Sequence, residues 1–130
     1  MRAGFVVSAA LAVLAGALFA LARRCFVRYV VEGASMAPAL ADGDYVVVDT
    51  RARRRPPSLG AVVLARDPRD RSRVIAKRVA DFAGRKRVVL LGDNPAASTD
   101  SRTFGPVRTG DLVGRVVWRY WPPERFGACR

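Results

Sequence analysis

Histidine is absent from this 130-residue chain and lysine nearly so: of the 23 basic residues only Lys77 and Lys86 are lysines. Without imidazole, whose ordinary pKa lies nearest neutrality, acid–base chemistry must use another group. The same absence removes the His-containing catalytic triad and His-bearing metal sites. Cysteine is scarce as well. Cys25 and Cys129 stand far apart and in no metal-ligand spacing, which argues against a structural zinc site and a disulfide framework. No metal or other cofactor is expected. Acidic residues number 11, leaving a formal net charge of +12. Such an excess raises a nucleic-acid reading. However, the arginines are dispersed among apolar runs, and only Arg51-Ala52-Arg53-Arg54-Arg55 forms a cluster. No nucleic-acid partner is expected. The cluster, read as an exposed loop ahead of Pro56-Pro57, suits solvent or the anionic headgroups of a lipid surface.

What is present begins with twenty uncharged residues, Ala3 to Ala22, in which Ser8 is the one polar side chain. At helical rise this run spans about 30 Å, the thickness of a bilayer's hydrocarbon core. It is longer than the apolar part of a secretory signal and is followed by Arg23-Arg24, so it reads as a retained anchor in residues 1–24. The chain is then a single-pass protein of the cell membrane, with the lipid bilayer as a partner. Arg2 and the terminal amine on one side nearly balance Arg23, Arg24 and Arg28 on the other, so the side occupied by the rest of the chain stays open. Residues 25–130 form one domain. Six valine-rich runs, separated by Gly, Pro and Asp turns, predict a mainly β fold: 27–31, 45–48, 61–65, 73–79, 87–91 and 112–120. Beyond the anchor no segment has helical periodicity over eleven or more residues.

Two segments carry chemistry. Ser35 lies in a small-residue context, Gly33-Ala34-Ser35-Met36-Ala37-Pro38, and Lys77 lies in an apolar strand-like run. On an alternating strand Ile75, Lys77 and Val79 share a face, where burial would favour the neutral amine. A Ser/Lys pair is a known alternative to Ser-His-Asp. A strand lysine can also snorkel to water, so this segment alone does not decide. A third segment, Gly92-Asp93-Asn94 through Gly105-Pro106, is a polar loop that an Asp100–Arg102 contact could close.

Together the anchor, Val31-Glu32-Gly33-Ala34-Ser35-Met36-Ala37-Pro38, Gly43-Asp44-Tyr45, Ala76-Lys77-Arg78-Val79 and the third segment resemble the type I signal peptidase family in order and spacing. The resemblance implies a signal-peptidase-like all-β catalytic domain after one transmembrane helix, with Ser35 as nucleophile and Lys77 as general base near the membrane surface. It implies an orienting hydroxyl on Ser98, a bracing ion pair between Asp100 and Arg102, and Met36 packed beside the nucleophile. Gly33 departs from members that carry an oxyanion-binding hydroxyl there, which leaves the Ser35 backbone N–H as the main donor. Ala39 and Ala61 are further departures. Within the family, Asp67-Pro68-Arg69-Asp70, the 92–106 segment and Tyr120-Trp121-Pro122-Pro123-Glu124-Arg125 resemble the proteases that mature nickel-type superoxide dismutase.

The expected activity is a serine endopeptidase that removes a leader from a precursor protein. The dismutase precursor is the first substrate expectation, and exported preproteins, as for a general secretory signal peptidase, are the alternative. A nucleophile elbow fails because Ala37 stands where glycine is needed. Nothing pairs Asp93 with Asp100 across a symmetric site, and no DNA-binding helix pair precedes the domain to suggest a self-cleaving repressor. The competing class is a membrane-tethered basic binding module without catalysis, whose binding would survive Ser35→Ala.

Overall fold

The computed structural model describes residues 2–129, with side chains from Val6 onward. Helix α1 (Arg2–Cys25) forms because alanine and leucine dominate and proline is absent. Its segment Val6–Cys25 has a mean hydropathy of 2.1, is long enough to cross a membrane and is not buried against the other described residues. Arg23 and Arg24 in the last turn complement the helix dipole, and the Arg23 guanidinium lies 5.8 Å from the centroid of the Phe19 ring.

Strand β1 (Phe26–Val30) follows α1 directly. It pairs with β2 (Tyr45–Asp49), and β3 (Val62–Arg66) pairs with β4 (Val74–Phe82). After β5 (Arg87–Leu91) come a single helical turn, α2 (Ser101–Phe104), then β6 (Val107–Arg108), β7 (Leu112–Trp121) and β8 (Gly127–Ala128). All pairings are antiparallel, in the order β1-β2-β7-β3-β4-β5-β6, with β8 on β7. The fold is mainly β, as the valine runs predict. The 73–79 run extends to Phe82, where an irregularity after Val79 shifts the register with β5. The arginine cluster is not a plain loop. Thr50–Arg54 forms a 3-10 turn because the Asp49 carboxylate accepts the Arg51 backbone N–H.

Two apolar clusters fill the fold. Met36 and Leu40 from the β1–β2 connection pack with Val46, Val48, Leu64 and Val116. Val63, Ala65, Val79, Leu90 and Leu112 form the second. Register places Lys77 directly opposite Val63 and Ile75 opposite Ala65, on the side of the β3–β4 pair that builds this second cluster.

Candidate active site

Ser35 stands in the tight connection between β1 and β2. Its base is fixed by backbone bonds from Val31 N–H to the Asp44 carbonyl and from Gly43 N–H to the Val31 carbonyl, both 2.8 Å, while Met36 and Leu40 anchor the turn in the core. Met36, the residue after Ser35, is part of the first core cluster. Gly33 has a φ of +79°, a left-handed conformation that any side chain would strain, and its N–H donates to Asp42 Oδ1 at 2.7 Å. A serine there would carry its hydroxyl on a disfavoured backbone. The Ser35 backbone N–H donates to nothing among the described residues.

Lys77 Nζ donates to Ser35 Oγ at 2.7 Å. The residue is only 3% exposed, and burial, which disfavours the ammonium, lowers its pKa below the usual lysine value. Two carboxylates nearby, Asp100 first and then Asp67, act the other way, and the guanidiniums of Arg69 and Arg102 offset them. Each of these acids is itself buried and held by the arginine two residues later. The Asp67 carboxylate accepts the backbone N–H, Nε and Nη2 of Arg69 at 2.9, 3.0 and 2.6 Å. Asp100 accepts the same three groups of Arg102 and, in addition, the Gly92 backbone N–H at 2.9 Å and the Ser98 hydroxyl at 2.8 Å. The Arg102 guanidinium holds the Asp100 carboxyl far below the ordinary carboxylate range. The net effect is that the lysine pKa stays lowered by burial although two carboxylates lie near it.

Ser98 donates its hydroxyl to Asp100 and makes no hydrogen bond to Lys77 among the described residues. Its loop instead grips the backbone of the serine turn: Asn94 N–H donates to the Ser35 carbonyl at 3.0 Å and Asn94 Nδ2 to the Ala34 carbonyl at 3.2 Å. Gly92 is the close-packed point of this junction. A Cβ there would fall 2.1 Å from Ser98 Oγ and 2.7 Å from the Ser35 carbonyl oxygen.

Several supports escape the sequence reading. Arg78 forks onto Asp93 with contacts of 2.8 and 2.6 Å, joining β4 to the Gly92–Asn94 turn. Buried Asp44 draws in Arg119 and Arg125, each at 3.3 Å, and these arginines also bind the Ala39 and Pro38 carbonyls at 2.8 Å. The C-terminal segment thereby braces the serine turn, and Arg119 Nε also donates to the Arg125 carbonyl. A signal for the acid partners exists in the sequence: Asp-x-Arg occurs at Asp49, Asp67 and Asp100, and all three make the same forked contact. Cys25 and Cys129 are both free.

The signal peptidase family, peptidase S26, matches residues 3–86 and 85–121 of the chain. This chain belongs to the S26 signal peptidase family. It is 37% identical over 123 residues to the mitochondrial ATP-independent inner membrane protease subunit 1a of Arabidopsis thaliana, covering 77% of this chain and 73% of that one. The mitochondrial inner membrane protease subunit 1 of Homo sapiens is 32% identical over 119 residues, covering 76% and 72%. Subunit 2 of the Saccharomyces cerevisiae protease is 28% identical over 122 residues, covering 75% and 69%. The S26 match covers most of α1, the serine turn and the lysine strand.

The balance of charges near Lys77 makes a pH prediction. The neutral amine is the form that can accept a proton, so activity should rise as pH climbs through the lysine pKa. Arg102→Gln removes a positive neighbour and leaves the Asp100 charge less compensated, and both changes favour the ammonium. The acidic limb of the kcat/KM profile is expected to move to higher pH, with the plateau at high pH largely retained. A profile unmoved on the pH axis would show that Asp100 does not reach the lysine electrostatically.

Proposed function

We propose that the chain is a serine endopeptidase in which Ser35 attacks the scissile carbonyl while neutral Lys77 takes its proton. The observation that carries this reading is the 2.7 Å contact between Lys77 Nζ and Ser35 Oγ on a buried lysine. The oxyanion of the tetrahedral intermediate accepts the Ser35 backbone N–H. Lys77 then passes its proton to the leaving amine, and afterwards deprotonates the water that hydrolyses the ester. Strand β1 is an edge of the sheet and leads into Ser35, so an extended leader can add to it by backbone hydrogen bonds. Gly33, Met36, Ser98, Asp100 and Arg102 act as positioning residues around this pair.

The substrate we assign is the precursor of a nickel-type superoxide dismutase, supported by the likeness of the 67–70, 92–106 and 120–125 segments to the proteases that mature it. A second reading, removal of targeting sequences from exported precursors at the cell membrane, is favoured by the apolar helix and by relatives that are inner membrane protease subunits. Purified full-length protein should be offered both precursors together, with Ser35→Ala as control. Serine-dependent loss of the dismutase leader is the expected result. Cleavage of the exported precursor alone assigns the second reading, and cleavage of neither removes the protease assignment.

A further inference from the structure

The 3-10 turn Thr50–Arg54 folds back onto the end of α1. The Thr50 hydroxyl reaches the Arg24 and Cys25 carbonyls at 3.2 and 3.0 Å. Helix carbonyls in the last turn lack partners within the helix, so this contact both caps α1 and fixes the turn beside its end. Between them lies a recess of about 620 Å³ lined by Arg24, Thr50, Arg51, Arg53 and Arg54. A neighbouring recess of about 540 Å³ shares Arg51 and Arg54 and adds Arg55 and Arg115, so the basic surface is continuous. Arg51 is already engaged, forked onto Asp49 and 5.0 Å from the Phe26 ring centroid. Arg24, Arg53 and Arg54 have no ion-pair partner among the described residues.

We propose that this recess binds the phosphate headgroups of anionic membrane lipids. The inference rests on α1 crossing a bilayer, as its apolar length permits. Twenty residues of helix match the hydrocarbon thickness of about 30 Å, so where Val6–Cys25 is embedded its last turn lies at the phosphate plane. The Thr50–Arg54 turn, bonded to that last turn, is held at the same depth. Guanidinium presents a planar fork of donors that fits phosphate oxygens, and three arginines without an ion-pair partner among the described residues line this one recess. Asp111, the sequence neighbour of the lining residue Gly110, is occupied by Arg71 and Arg108. A zwitterionic lipid offers the same phosphate with a cation attached, so the site selects for net negative charge. Each arginine near the headgroup plane is worth about a fivefold preference for an anionic lipid, and three give about a hundredfold.

The test uses the full chain solubilised in a neutral detergent and mixed with equal amounts of phosphatidylglycerol and phosphatidylcholine. Lipids retained on the protein are counted by native mass spectrometry. Wild type should retain phosphatidylglycerol strongly over phosphatidylcholine, less so as salt rises. Arg24→Gln/Arg53→Gln/Arg54→Gln should bring the two lipids close to parity, and the corresponding triple lysine variant should keep most of the preference. Wild type without a preference, or a triple glutamine variant that keeps it, overturns the proposal. So does displacement by glycerol phosphate at concentrations equal to the lipid, which would mark a site for soluble phosphates. Membrane insertion is checked separately by carbonate extraction, so failure of the anchor is distinguished from failure of the site. None of these arginines touches Ser35 or Lys77, so loss of lipid preference is independent of whether the protease assignment holds.

Discussion

Lys77→Met is expected to abolish proteolysis and to raise the melting temperature. The side chain keeps its length and apolar stem, so the packing against the second cluster survives. What disappears is the side chain that hydrogen-bonds Ser35 Oγ, and on the proposed mechanism kcat should fall by roughly 10⁴-fold or more. The amine is buried at the cost of its hydration, which is why its pKa is pushed down. Removing it also relieves that cost. A gain of about 1 kcal/mol would lift the melting point by roughly 4–8 °C in a domain of this size. Lys77→Arg should be equally inactive, because guanidinium does not give up its proton at any working pH. Ser35→Ala should match the loss of activity with little change in stability. These outcomes are read by cleavage of a precursor and by thermal unfolding of the same preparations. Residual activity in Lys77→Met would take the lysine out of the chemistry, and a lowered melting temperature would show that the amine is not held against its solvation.

Gly92→Ala should be strongly damaging, with the shortest clash that a glycine-to-alanine change makes among the described residues. The added Cβ meets Ser98 at 2.1 Å and 2.5 Å and the Ser35 carbonyl oxygen at 2.7 Å, and the last of these is backbone that cannot swing away. Relief requires the loop to part from the serine turn, which breaks the Asn94–Ser35 bond and the Gly92–Asp100 bond together. Overpacking of this kind costs about 1–3 kcal/mol and sometimes more. The expected result is a melting temperature lower by roughly 4–8 °C per kcal/mol lost, with activity reduced even in the folded fraction. Gly110→Ala, where a Cβ would meet nothing within 4 Å, is the matched control. Equal behaviour of the two variants would show that the Gly92 junction is loose.

Much of this architecture is visible in the bare sequence. The run Arg87–Leu91 becomes β5 residue for residue, because a valine-rich segment between turn signals has few other ways to bury itself. The partnership of Ser35 with Lys77, 42 positions apart, is suggested by the shortage of alternatives in a chain without histidine. The two-residue strands β6 and β8 leave no trace, since two residues carry no period. The site's bracing is hidden for a different reason. Arg119 and Arg125 reach Asp44 across 75 and 81 residues, and nothing local marks such a contact. Asp67 with Arg69 is the opposite case. The Asp-x-Arg spacing is local and recurs three times, and reading it as ordinary turn polarity conceals that two of the three acids are buried beside the lysine.

The junction of α1 and β1 has a mechanical consequence. Cys25 ends the helix and Phe26 begins the strand, with no residue between them to act as a swivel. Where α1 is embedded, the sheet inherits its attitude from the lipid plane, and the serine turn sits one strand length away, about 17 Å along the backbone. Such a tether works as a depth gauge. On the proposed protease reading, the height at which a precursor presents a peptide bond then counts before any side chain is read.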